Sequence, residues 1–341
     1  VIKQKAVIFF LFFLLVLTTS SAQVLPSFGG SRAGTAGLQF LKIAPDARSA
    51  SLAGSYAAIV DDVSAMYWNP AGLTHMDSGR YHFLFSHASY VADIGLNFAG
   101  FAFSRNGYNF WGLSLISLNS GEMPVTTEFQ PYGTGQTFNV SNIMLGLSFA
   151  KILSDNFSFG LTGKYVYENS ADVTLQNGLV DFGFVYRIGT KRDTRFSVGI
   201  SNFGFNISPQ GKVTLNTLSG AKEADQFEKV AAPSIFRLGV ATDLIKKTNY
   251  YLLVTSQLNH PTDNKESLAL GFEYGFKKLL FIRTGYEFGA DFTSWPAFGI
   301  GLNLRRYFGQ LKFDYSFNNK DYLGNIHRIT LGIDLKKIKM K

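Results

Sequence analysis

The chain has no cysteine, only 9 prolines and 3 tryptophans in 341 residues, and charged residues make up just 16% of it. The missing cysteine excludes a disulfide scaffold, thiolate metal sites, a cysteine nucleophile and a lipoprotein anchor. A soluble domain ordinarily carries about a quarter charged residues, so this surface is poorly suited to water. The same balance is wrong for disorder, which calls for low hydrophobicity and many charges. Beyond Ala22 no apolar run reaches the roughly 18 residues of a transmembrane helix. What is abundant is glycine (34), phenylalanine (33) and tyrosine (16).

Lys3 and Lys5 precede an apolar run over 6–17, and small residues follow at Ser20 and Ala22. This order predicts a secretory signal peptide over 1–22, cut between Ala22 and Gln23 and routed through the Sec pathway. The run is too short to serve as a spanning anchor.

From about residue 80 onward, apolar and polar residues alternate. Phe298, Ile300, Leu302 and Leu304 are separated by Gly299, Gly301 and Asn303; Ile329, Leu331, Ile333 and Leu335 by Thr330, Gly332 and Asp334. Successive side chains of a strand point to opposite faces, so each segment has one greasy face and one polar, glycine-rich face. A soluble sandwich would alternate too. However, these segments run longer than the five or six residues of an average strand, and Tyr165 and Tyr167 sit near a segment end, where membrane barrels carry aromatic girdles. The predicted strands are 80–90, 94–105, 109–119, 139–150, 156–168, 178–189, 194–205, 235–244, 249–258, 266–277, 279–289, 296–305, 308–318 and 326–336. Short connections follow the even-numbered strands, and most odd-numbered strands precede longer ones, as in bacterial outer-membrane barrels. The prediction is an all-β, 14-stranded antiparallel transmembrane β-barrel over 80–341, in contact with outer-membrane lipid.

The net charge of +8 invites a nucleic-acid reading, but the basic residues fall at the predicted short turns rather than on one stripe. Lys151, Arg192, Lys246, Lys247, Lys277, Lys278, Arg305 and Arg306 are placed there, where anionic headgroups attract them. No nucleic-acid partner is expected.

Residues 31–79 do not alternate, and 23–79 is predicted to form a hatch in the lumen of so wide a barrel. The candidate hatch motif is Asp61, Asp62, Asn69, Pro70 and Gly72, with Asn69-Pro70 imposing a turn. The runs Ala33 to Ile43, Ala47 to Gly54 and Asp61 to Leu73, with Ser86 to Asp93, resemble the PorV/PorQ family. The resemblance covers the mature chain and is sharpest in 33–73. It implies an outer-membrane barrel of the Bacteroidota, FadL-like in fold, serving type IX protein secretion. The implied partners are translocon or attachment-complex proteins and secreted cargo.

Adjacent Asp61 and Asp62 are expected to be structural, pairing with lumen arginines such as Arg283, Arg187 or Arg328. The histidines at 75, 82, 87, 260 and 327 lack metal-ligand spacing, so no metal or cofactor is expected. His260 near Asp263 is the only local hydrolase-like pairing, and no enzyme activity is expected. The long segments 120–138 and 206–234 are the candidate partner-binding loops, with Met123, Phe129, Tyr132 and Phe227 as apolar anchors. The alternative function is FadL-like transport of hydrophobic small molecules, which calls for an apolar pocket above the hatch.

Overall fold

The computed structural model describes residues 33–336 except 91–93, 129, 190–191, 218–219, 290–294, 308 and 322–323. The predicted signal peptide and Phe129 lie outside the described residues. Fourteen long strands form one antiparallel barrel. They are β1 (Arg80–Ser89), β2 (Gly95–Ser104), β3 (Asn109–Asn119), β4 (Val140–Ser154), β5 (Phe157–Ser170), β6 (Val173–Ile188) and β7 (Thr194–Gly204). Then follow β8 (Ile235–Lys246), β9 (Tyr250–Pro261), β10 (Ser267–Phe276), β11 (Leu280–Phe288), β12 (Ala297–Arg306), β13 (Gly309–Asn319) and β14 (Asn325–Lys336). Each pairs with its sequence neighbour, and β1 against β14, from Arg80↔Lys336 to Ser89↔His327, closes the ring.

All fourteen predicted strands are present. Their parity is as expected: Leu331 is 40% exposed on the outer face while its neighbour Thr330 is 3% exposed inside. In a water-soluble barrel the exposed face would be polar. Here Leu113, Leu145, Leu147, Ile282, Ile300 and Phe313 are exposed, which makes hydrocarbon the matching solvent. Tyr81, Tyr108, Tyr186 and Tyr250 give the short-turn end an aromatic belt.

Several strands exceed their predicted bounds, β4 and β6 by the most. β4 continues to Ser154, with a register shift between Ile152 and Ser154, and β6 begins at Val173 rather than 178. The added part of β6 pairs with Glu168, Asn169 and Ser170 of β5. That stretch lies toward the loop end, where apolar alternation is no longer enforced, so periodicity cannot see it. The segment between β5 and β6 is consequently a tight turn at 171–172.

The apolar core is not made by the barrel wall alone. It is built on the segment before β1, where Leu38, Leu41, Leu52, Tyr56, Ile59, Met66 and Leu73 are at most 1% exposed. This segment contains α1 (Ala47–Ser51), α2 (Ala65–Trp68) and two 3-10 turns, Gln39–Lys42 and Pro70–His75. Its residues meet inward-facing glycines around the ring: Val63 and Met66 at Gly100 and Gly112, Ala58 at Gly239, Leu52 at Gly271 and Gly285, Ser51 at Gly299. The segment therefore occupies the lumen. Among the described residues no helix is long and apolar enough to cross a membrane.

Candidate functional site

The Asn69-Pro70 turn is fixed at both ends. Asn69 caps the following 3-10 turn, its Oδ1 accepting from the Ala71 amide at 3.1 Å, and its Nδ2 donates to the Phe184 carbonyl of β6 at 3.1 Å. A Cβ at Gly160 would overlap the Pro70–Ala71 backbone, and one at Gly183 would overlap the Asn69 amide. Gly72 packs with similar closeness on Val60. The Asn69-Pro70 turn seats against Gly160 and Gly183 of the wall.

Asp61 and Asp62 do not reach the arginines expected of them. Asp61 pairs with Arg48 of its own segment at 2.5 Å. Asp62 accepts from Tyr56 Oη at 3.0 Å and from the Ser64 amide at 2.9 Å. Arg283 is taken by Glu273 and Asp314, at 2.6 and 2.5 Å, and Arg187 by Asp193 at 2.6 Å. Arg328 donates to the Ala44 carbonyl and to Asn318. The reason is proximity: α1 places Arg48 between Asp61 and Glu273, so the local pair forms first in space and the wall arginines find wall carboxylates. Desolvation raises the carboxyl of Asp61, but the cations of Arg48 and Lys312 together hold the group below its ordinary value.

The lumen holds a second carboxylate of a different kind. Asp46 caps α1, accepting from the Ser49 amide at 2.8 Å, from Ser49 Oγ at 2.7 Å and from Trp68 Nε1 at 3.1 Å. Among the described residues no cation neutralises it directly. Burial, reinforced by the charge of Asp62, pushes it up to about 6 against the lowering effect of these hydrogen bonds.

His260 and Asp263 do not pair. His260 Nδ1 lies 3.1 Å from Glu266, while Asp263 binds Lys42 Nζ at 2.5 Å and Gln39 Nε2 at 2.7 Å. Asp263 is thus a tether between the loop after β9 and the first lumen turn, with no hydrolase geometry.

On the loop side of the lumen segment lies a cavity of about 830 Å³. Leu38, Phe40, Ile43, Trp68, Leu118 and Ile235 supply apolar lining; Arg237 and Arg328 face it from β8 and β14. Arg237 and Arg328 are each 4% exposed. Arg237 lies over Trp68 (5.2 Å) and Tyr67 (5.8 Å) and donates to Ser201 Oγ. A pocket above the hatch is what the transporter alternative calls for, but sequence reading did not name Arg237 or the apolar residues that line it. An arginine at an inward parity within a spanning strand was the available signal, since membrane barrels seldom bury such a group without use.

The two long loops are structured. Met123–Pro124 pairs with Thr137–Phe138, and Val213–Thr217 with Gly220–Ala224. Tyr132 is 100% exposed at the first, while Met123 and Phe227 are half-buried. The second loop is bound down on the lumen segment: the Gly37 amide donates to the Ala231 carbonyl at 3.1 Å, and the Ala231 amide to the Thr35 carbonyl at 3.2 Å.

No protein-family model matches the sequence, and no curated protein matches it. Among solved structures the chain is similar to the toluene transporter TodX of Pseudomonas putida, with a TM-score of 0.58 and 11% identity over 86% of this chain and 98% of that one. It is similar to the toluene transporter TbuX of Ralstonia pickettii, with a TM-score of 0.57 and 13% identity over 86% and 97%. A FadL homologue of Pseudomonas aeruginosa aligns with a TM-score of 0.54 and 12% identity over 86% and 98%. At these identities the likeness is one of fold: a closed, FadL-like barrel.

Proposed function

We propose that this barrel resides in the outer membrane, its short-turn end in the periplasm, and admits small hydrophobic molecules through the cavity above the lumen segment. The observation that carries the reading is that cavity. It is concave, about 830 Å³ in volume, and reached from the loop side. Its size is that of small-molecule sites, and its lining mixes apolar side chains such as Phe40, Ile43 and Leu118 with many polar and charged ones. The solved barrels of similar fold include two toluene transporters. The test is uptake: vesicles carrying the reconstituted barrel should take up toluene faster than empty vesicles. Replacing Ile43 and Leu118 with tryptophan, which fills the cavity, should remove the gain. Equal uptake with and without the barrel would refute the reading.

A second reading follows from the loops and from the PorV/PorQ resemblance: the barrel holds a protein of type IX secretion at the cell surface. The favouring observation is Tyr132, fully exposed beside a paired, ordered hairpin, since aromatic anchors dominate protein interfaces. Deleting 123–132 should then abolish cargo secretion while toluene uptake persists. The reverse outcome favours the transporter.

A further inference from the structure

The short-turn end of the barrel does not carry its charge evenly. Around β1, β6 and β7 the cations are matched: Arg80 pairs with Asp77 at 2.9 Å, and Asp193 takes Arg187 and Arg195 at 2.6 and 2.8 Å. From the end of β8 round to β14 they are not. Lys247, Lys277, Lys278, Arg305, Arg306 and Lys336 are exposed there and form no ion pair among the described residues. Their neighbour Lys246 is matched by Asp243 at 3.1 Å. The turns that carry this arc are joined to one another. The Lys277 amide donates to the Asn249 carbonyl of the turn before it, and the Asn303 amide of β12 donates to the Leu279 carbonyl. Lys336 Nζ lies 5.2 Å from the centre of the Tyr307 ring, which links β14 to the turn after β12.

The middle turn of the arc has a backbone its residues disfavour. The Leu279 amide donates to the Phe276 carbonyl at 2.9 Å, and the two residues between them, Lys277 and Lys278, have φ of 50° and 52°. Two consecutive left-handed residues make the hairpin turn that prefers Asn-Gly. Lysine enters that region at a cost, and strain of this kind persists chiefly at functional positions. Directly beside these cations the outer wall is apolar. Tyr250, Tyr274, Phe276, Leu280 and Leu304 are exposed on it, Tyr307 is 95% exposed, and Lys277 Nζ sits 5.3 Å over the Phe276 ring.

An unmatched row of cations at the edge of an apolar wall complements a molecule with phosphate at one end and hydrocarbon at the other. We propose that the arc from Lys247 to Lys336 binds an anionic glycerophospholipid of the leaflet on that side. The turn cations hold its phosphate, and its acyl chains lie along Phe276, Leu280 and Leu304. General attraction between basic residues and anionic lipid would act around the whole rim, whereas the arc holds the lipid at one place. The site rests on the membrane setting proposed above and needs no transport through the lumen.

Native mass spectrometry of the purified barrel in a neutral detergent tests this, with dioleoyl phosphatidylglycerol and dioleoyl phosphatidylcholine as probes. The glycerol lipid should bind saturably and about tenfold more tightly than the choline lipid. Lys277→Asn with Lys278→Gly removes two charges and supplies the residues the turn prefers. It should raise the thermal midpoint of the lipid-free barrel while weakening phosphatidylglycerol by about tenfold. Arg305→Gln with Arg306→Gln should weaken it by a similar factor with no gain in midpoint. Arg105→Gln with Lys151→Gln takes the same charge from beside β3, outside the arc, and should leave binding unchanged. Equal binding of the two lipids overturns the site, and so does a loss in the β3 variant as large as in the arc variants. Displacement of phosphatidylglycerol by glycerol phosphate at matching concentration would overturn the lipid as occupant. No step involves uptake, so this binding and toluene transport can each fail while the other stands.

Discussion

Gly160 of β5 lies directly opposite Gly183 of β6, and the Asn69-Pro70 turn rests on the bare backbone the two leave between them. Neither glycine has a positive φ, so the requirement is one of space. A methyl group at either would meet atoms that cannot swing aside: the Pro70–Ala71 backbone at Gly160, the capping amide of Asn69 at Gly183.

Gly160→Ala should therefore displace the lumen segment while the outer wall stays paired. We expect a loss of about 1–3 kcal/mol and new protease cleavage within 33–76. Gly163→Ala, on the same strand with open space around its Cβ position, is the matched control and should be silent. Cleavage patterns identical in the two variants would show that the turn does not depend on this niche.

The junction between α1 and the wall is electrostatic. Arg48 meets Glu273 through contacts of 2.9 and 3.2 Å, and Glu273 also binds Arg283 and accepts from Tyr251 Oη at 2.6 Å. Glu273→Gln leaves two guanidinium groups short of a buried counter-charge, which costs about 3–5 kcal/mol. A urea titration of the refolded barrel measures it. A shift within error would mean that Asp61 and Asp314 carry the pairing alone.

The two faces of β14 should respond to different chemistry. Leu331→Arg on the outer face should cost about 2–4 kcal/mol if it lies near the midplane. Thr330 faces inward, but its surroundings are packed: Oγ1 accepts from the Ala47 amide at 2.9 Å and is 2.7 Å from Ser86 Oγ. Thr330→Val keeps the shape and strips the acceptor, so the Ala47 amide is left unpaired at a cost of about 1–3 kcal/mol. An arginine there, which an open lumen would accommodate, should prevent the segment from seating. Tolerance of Thr330→Arg would show that the lumen is emptier than this.

Asp46 should make stability fall as pH rises. In the folded state its carboxyl is pushed up to about 6 from an ordinary value of 3.8. Between about pH 4 and 6 the folded chain holds a proton that the unfolded chain has lost, so its contribution is full below that window and lost through it. The shift corresponds to about 3 kcal/mol. Asp46→Asn, which can still cap α1, should flatten the profile: wild type minus variant should decline from pH 4 to pH 6 and stay level above. Parallel profiles would place Asp46 at an ordinary carboxylate value.

The division between what the chain announces locally and what it settles at long range follows from distance along the sequence. Strands β12 and β14 were legible because hydrocarbon on one side and packed polar atoms on the other impose a two-residue period at every position, as at Phe298 to Leu304. The motif around Asn69-Pro70 stood out as a turn for reasons contained in four residues. Where periodicity stops being enforced, at 173–177 of β6, local reading ended too early. The partners of charged groups were beyond it altogether. Arg48 and Glu273 are 225 positions apart, and nothing in either neighbourhood selects the other over Arg283 or Asp61. The sequence by itself determined that the wall alternates, which face meets lipid and how many times the chain crosses. Only closure of the ring around the lumen segment decided which carboxylates neutralise which cations, and left Arg237 and Arg328 facing one cavity without an ion pair among the described residues, because a counter-charge can be assigned only once the strands that carry it are brought together.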